Sequence, residues 1–165
     1  MKLIAKLAAA LMLAALPGPL LAQAAYDPDK VITSVTLDDL RVTAETLGQS
    51  VRPVGNNGDM LLVESESYFK TGLQPKVCQQ DGVKECKGVL IFSVFSDLRA
   101  VTDAQILDAN NRFLPVKVSR DARGNVTIRR YLILDYGATM RNLQTNIIAF
   151  QVASRNVVNI LKGEE

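Results

Sequence analysis

Few residues in this chain can do chemistry. It has 165 residues, with two cysteines, 17 Asp+Glu, 19 Lys+Arg, and neither histidine nor tryptophan. Without an imidazole there is no Ser-His-Asp or Cys-His catalysis, no His-bearing zinc site and no haem on a proximal His. Two cysteines alone cannot hold an iron–sulfur cluster. Cys78 and Cys86 flank Gln-Gln-Asp-Gly-Val-Lys-Glu. That spacing is not Cys-x-x-Cys, and no further soft ligand accompanies the pair, so a redox or metal role has little behind it. A disulfide clipping a hairpin near its tip is the expectation, because Asp81-Gly82 inside the loop is a turn signal.

The acids fall in pairs: Asp38/Asp39, Glu64/Glu66, Asp103/Asp108 and Glu164/Glu165. Asp38 and Asp39 sit where a helix dipole favours negative charge. None has the spacing of a calcium loop. Gly55-Asn56-Asn57-Gly58 is not followed by Gly-Lys-Ser/Thr, and no Gly-x-Ser-x-Gly elbow occurs. No metal or cofactor is expected. Two carboxylates suffice for glycosidic cleavage, so a small carboxylate-dependent hydrolase stands as the alternative to a non-catalytic protein.

The elements that must position these residues are legible in the periodicity. Thr36 precedes Leu37, with Asp39 three positions on, a capping-box pattern. Leu37, Leu40, Ala44 and Leu47 then recur at helical spacing, predicting a helix over 37–47. Val51 to Val54, with Pro53 suited to an edge, and Met60 to Glu64 flank the turn Asn56-Asn57-Gly58-Asp59 and make a hairpin. Val89 to Phe95 is the strongest strand signal. Val89, Ile91 and Phe95 share one face, and Leu90, Phe92 and Val94 the other. A strand apolar on both sides is usually central and covered twice, by helices on both faces or by a helix and a partner.

A second helix over 103–112 should turn Ile106 and Leu107 inward. A strand from Phe113 to Ser119 should return, through Arg123-Gly124-Asn125, as a strand from Val126 to Leu134. Arg130 falls among the apolar residues of that last strand. Either a β-bulge or a snorkelling stem carries it outward, or it faces inward toward an anion. Thr139 caps a final helix whose stripe of Leu143, Ile147, Phe150, Ser154, Val157 and Leu161 reads as core. Tight turns between consecutive strands make the sheet mainly antiparallel and the class α+β.

Lys2, Lys6, the apolar run Leu7 to Leu16, Pro17-Gly18-Pro19 and Ala22-Gln23-Ala24 read as a secretory signal peptide over 1–24. The run is too short to span a bilayer, so no stable membrane anchor is expected after cleavage. The remaining single domain, 25–165, carries 17 basic and 17 acidic residues. A balanced, exported domain has no electrostatic reason to seek nucleic acid. The expected location is the periplasm.

The stretch Asp108-Ala109-Asn110-Asn111-Arg112-Phe113, then Lys117, Arg123-Gly124-Asn125-Val126 and Leu132-Ile133-Leu134-Asp135-Tyr136-Gly137-Ala138-Thr139 resembles the YbjN family. So does the helix from Thr36 to Gly48 followed by a hairpin. The likeness covers most of residues 33–161. It departs at Tyr136-Gly137, where the family has Gly-Gly, and in the Cys78/Cys86 hairpin and leader. The resemblance implies a fold similar to type III secretion chaperones: a curved antiparallel sheet with helices on one face, often dimeric. Family members carry a provisional label of sensory transduction regulator, and no catalytic residues carry over.

The function expected is therefore a binding module that presents an apolar sheet surface to a protein, a peptide or a second copy as a homodimer. Tyr68, Phe69, Ile91 and Phe95 are the candidate partner contacts, because aromatics anchor interfaces; for Tyr68 and Phe69, in a polar loop, the alternative is that they fold back onto the sheet.

Overall fold

Threonine side chains start all three helices. In the computed structural model, which describes residues 26–78 and 85–164, helix α1 runs Leu37–Glu45 and α2 runs Asp103–Arg112. At α1 the Thr36 hydroxyl accepts the Asp39 amide at 3.1 Å, and the Asp39 carboxylate accepts the Thr36 amide at 2.8 Å. Gln105 closes the same reciprocal box with Thr102 at α2. Each satisfies two amides that a helix start leaves unbonded. Helix α3, Met140–Lys162, is capped by Thr139. The expected stripe from Leu143 to Leu161 is buried along its whole length.

The strands are β1 (Val31–Ile32), β2 (Ser50–Val54), β3 (Met60–Glu64), β4 (Thr71–Cys78), β5 (Cys86–Phe95), β6 (Lys117–Arg120), β7 (Val126–Ile133) and β8 (Ala138–Thr139). Six of them form one antiparallel sheet in the order β2-β3-β4-β5-β7-β6, and β1 pairs β8 in a separate short ribbon. Asp121 tightens the β6–β7 turn, its carboxylate accepting the amides of Arg123 and Asn125 at 2.9 and 2.8 Å. The described residues form an α+β fold, with α1, α2 and α3 packed on one face of the sheet. The core lies between, built from Leu61, Val63, Leu73, Val89, Ile91, Val126 and Ile128 below and Leu40, Ala44, Leu143, Ile147, Phe150 and Val157 above.

Several expectations need correction. Leu107 points outward and is exposed. Ala109 is the buried position of α2, and Ile106 and Phe113 pack partly against the core beside it, at helical spacings of three and four. The strand expected from Phe113 begins only at Lys117, since Phe113 terminates α2 and Pro115 holds the chain in a turn. β4 runs Thr71–Cys78 into the clipped hairpin, and Val31–Ile32 pairs Ala138–Thr139 in a ribbon that no local sequence pattern announces. The expected leader, 1–24, and the Asp81-Gly82 turn lie outside the described residues. No helix among the described residues is long and apolar enough to cross a membrane.

Candidate functional site

Strand parity decides which side chains face the helices and which face away. On β5, Val89, Ile91, Ser93 and Phe95 point under the helices and are buried. Leu90, Phe92 and Val94 point the other way. Register extends that second face across the sheet. Arg52, Leu62, Gly72, Phe92, Arg129 and Lys117 form one transverse row, a residue from each strand. Val54 and Met60 on one side of the sheet, and Leu90 and Tyr131 on the other, form the next row. None of α1, α2 and α3 covers these rows. Val94 is 53% exposed, Tyr131 45% and Ile133 69%, so the apolar surface is open to solvent.

Two glycines let aromatic rings lie flat on this face. A Cβ at Gly72 would sit 2.5 Å from the Phe92 ring, and a Cβ at Gly88 would sit 2.6 Å from Cζ of Tyr131. Only a bare backbone admits such close approach. Beside Phe92, the side chains of Val54, Met60, Leu62 and Val94 line a depression of about 170 Å³. A cavity of about 150 Å³ already holds a benzene ring, so this one has room for one apolar side chain.

Charge on the open face is mainly positive. Arg52, Lys76, Arg129 and Lys117 stand on it by register. Asp59, beside the start of β3, accepts from Gln74 on this face at 3.3 Å, and Glu64 accepts from Lys70 at 2.8 Å. That hydrogen bond, with the charges of Lys70 and Arg52, holds the Glu64 carboxyl below its usual range. Among the described residues no carboxylate pairs with Lys76, Arg129 or Lys117.

The sequence-predicted contacts fall elsewhere. Ile91 and Phe95 are buried under the helices, and the side chains of β5 on the open face are those of opposite parity, Leu90, Phe92 and Val94. Phe69 folds back onto the core, its ring edge-on to Phe95 at 5.0 Å. Tyr68 lies under the Arg155 guanidinium of α3 at 4.7 Å, on the helix side as well. None of the four lies on the open face. Arg130 sits opposite Ile91 in an unbroken register, which rules out the bulge. It faces the helix layer half-exposed, as a snorkelling stem does, and pairs with no carboxylate among the described residues.

Cys78 and Cys86 are bonded as a disulfide across β4 and β5, directly opposite each other. The backbone of Cys86 also exchanges two hydrogen bonds with Val35, at 2.9 Å each, tying the clipped hairpin to the segment before α1. The sheet edges are blunted: β2 carries Pro53, and β6 is only four residues long with charged ends.

Carboxylates do share grooves, Glu64 with Glu66 beside Tyr68, and Asp38 with Asp59 beside the disulfide. A glycosidase pair needs one acid raised above its usual range. Glu64, which shares its groove with Glu66, is held below its ordinary range by the Lys70 hydrogen bond, the opposite of what a general acid needs. Among the described residues no three His, Cys, Asp or Glu come together to hold a metal.

No protein-family profile matches the chain, and no curated protein matches it by sequence. Solved structures do match it in shape. YbjN, a proposed transcription regulator from E. coli, superposes with a TM-score of 0.59 at 16% identity, over 81% of this chain and 93% of that one. An uncharacterized protein from Methanothermobacter thermautotrophicus gives 0.54 at 14%, over 78% and 98%. A chain of the HopA1–SchA chaperone–effector complex gives 0.50 at 12%, over 74% and 96%. At these identities the likeness is one of fold: this α+β chain shares its overall fold with YbjN and with a chain of the HopA1–SchA chaperone–effector complex.

Proposed function

We propose that this protein is a non-catalytic interaction module, exported to the periplasm, that docks a segment of another protein on the open face of its sheet. The observation that carries the reading is the contiguous apolar surface of Leu62, Leu90, Phe92, Val94, Tyr131 and Ile133, left bare by the protein's own helices. Exposed apolar patches with a polar rim mark interaction sites on soluble proteins. The fold is shared with a chain from a chaperone–effector complex, which supports protein docking as its use. The disulfide fits an oxidising compartment, and the leader expected over 1–24 supplies the route. A sensory or regulatory role would follow if docking reports the partner's presence.

The test is selection of short random peptides displayed on phage against the oxidised protein. Enriched peptides should lose binding to Phe92→Asp and Ile133→Asp, yet keep it for Val152→Asp on the exposed side of α3. Enrichment of peptides indifferent to both open-face substitutions would contradict the reading.

A further inference from the structure

We infer that the docked segment is acidic at both ends: an extended stretch of about six residues, apolar in the middle, with Asp or Glu at each end, laid across the strands. The inference rests on the docking reading above and names the partner's chemistry.

Its basis is the transverse row Arg52, Leu62, Gly72, Phe92, Arg129, Lys117. Strands spaced about 4.8 Å apart put Arg52 and Arg129, four intervals from each other, about 19 Å apart. An extended chain rising about 3.3 Å per residue covers that span in about six residues. Between the two cations lie Leu62 and the Phe92 ring, which covers Gly72, with its depression. The centre therefore takes an apolar side chain and the ends take carboxylates. Lys117 extends the positive end by one strand, and Lys76 adds a cation one row beyond Leu90. Glu64 is paired with Lys70 at 2.8 Å, and together with Arg52 the three leave this end of the row net positive.

The same features weigh against two other occupants. A second copy docked face to face would set Arg52, Lys76, Arg129 and Lys117 against their own kind, which costs affinity. A membrane surface is entered by side chains that project into it, whereas Phe92 and Tyr131 lie down on Gly72 and Gly88.

The experiment uses two fluorescein-labelled peptides with one apolar centre, Val-Leu-Phe-Val, flanked on both sides either by Asp-Asp or by Lys-Lys. Fluorescence anisotropy with the oxidised protein should show the acidic peptide binding at least about ten-fold more tightly. The advantage should shrink as NaCl is added. The double reversal R52E/R129E, at exposed positions and checked for folding by circular dichroism, should invert the order. Equal binding of both peptides, abolished by Phe92→Asp, would overturn the acidic partner while leaving the docking face intact. Binding of neither peptide would overturn the inference, and the phage selection then judges the docking face separately. Two further results would overturn it: co-sedimentation with phosphatidylglycerol vesicles that R52E/R129E abolishes, or a dimer in analytical ultracentrifugation that Phe92→Asp dissociates.

Discussion

Truncating Ile91 and truncating Val94, three residues apart on the same strand, should have very different consequences. Ile91 is fully buried, paired opposite Leu73 and beneath the helices. Ile91→Ala removes buried methyl groups and leaves a cavity, at a cost of about 2–5 kcal/mol. Val94 is 53% exposed on the open face. Fully burying a valine contributes about 1.5–2 kcal/mol, so truncating one that is half in water should cost under about 1 kcal/mol. For a domain of this size about 1 kcal/mol moves Tm by about 4 °C. The expected falls are about 8–20 °C for Ile91→Ala and under about 4 °C for Val94→Ala. Thermal and urea unfolding of the oxidised protein, followed by circular dichroism, reads both. A Val94→Ala loss as large as that of Ile91→Ala would mean the open face is covered in solution, and the reasoning from parity would fail.

Three other outcomes follow from the geometry. Reducing Cys78–Cys86, or replacing both by serine, releases a loop of sequence separation 8 and should cost about 2–3 kcal/mol in urea unfolding; an unchanged midpoint would show that the clip adds nothing. The buried amides of Gln49 and Gln151 bond each other at 2.9 and 3.4 Å, so Gln151→Leu alone should cost about 1–3 kcal/mol while Gln49→Leu/Gln151→Leu together cost much less; additive losses would refute the pairing. Glu64 and Asp121 have folded carboxyls held below their ordinary values of 4.5 and 3.8, chiefly by hydrogen bonds from Lys70 and Asn125. A depressed carboxyl stabilises above its unfolded pKa and loses that contribution as pH falls through the folded one. Stability should therefore decline below about pH 4.5, less steeply in Glu64→Gln/Asp121→Asn, and an identical pH profile in that variant would count against both contacts.

Much of the fold is written locally. Thr36 and Asp39 announce the start of α1, and the stripe from Leu143 to Leu161 announces α3 as core, because caps and helical periodicity act within a few residues. The first hairpin is equally legible from Asn56-Asn57-Gly58. What failed is long-range. β1 and β8 are two residues each and meet only because the chain returns after Gly137. The start of β4 is disguised by Gly72 and Pro75, residues that normally argue against a strand. The site was half legible. β5 reads as apolar on both faces, and its apolar pattern alone does not say which face the helices take, so the sequence offers Ile91 and Phe95 as contacts where the structure exposes Phe92 and Val94. The missing signal lay in cross-strand pairs: Gly72 on β4 and Gly88 on β5 are the gaps into which Phe92 and Tyr131 settle. Ser93 gave a contrary hint, since its hydroxyl is buried only because it donates to the Lys70 carbonyl at 2.8 Å.

The most direct measurement is a titration of isotope-labelled, oxidised protein with a phage-selected peptide, followed by backbone amide chemical shifts. Docking on the open face predicts the largest changes at Leu62, Gly72, Leu90, Phe92, Arg129 and Tyr131, with α1 and the exposed side of α3 unmoved. Shifts concentrated on the helices, or in the Glu64–Tyr68 groove, would contradict it.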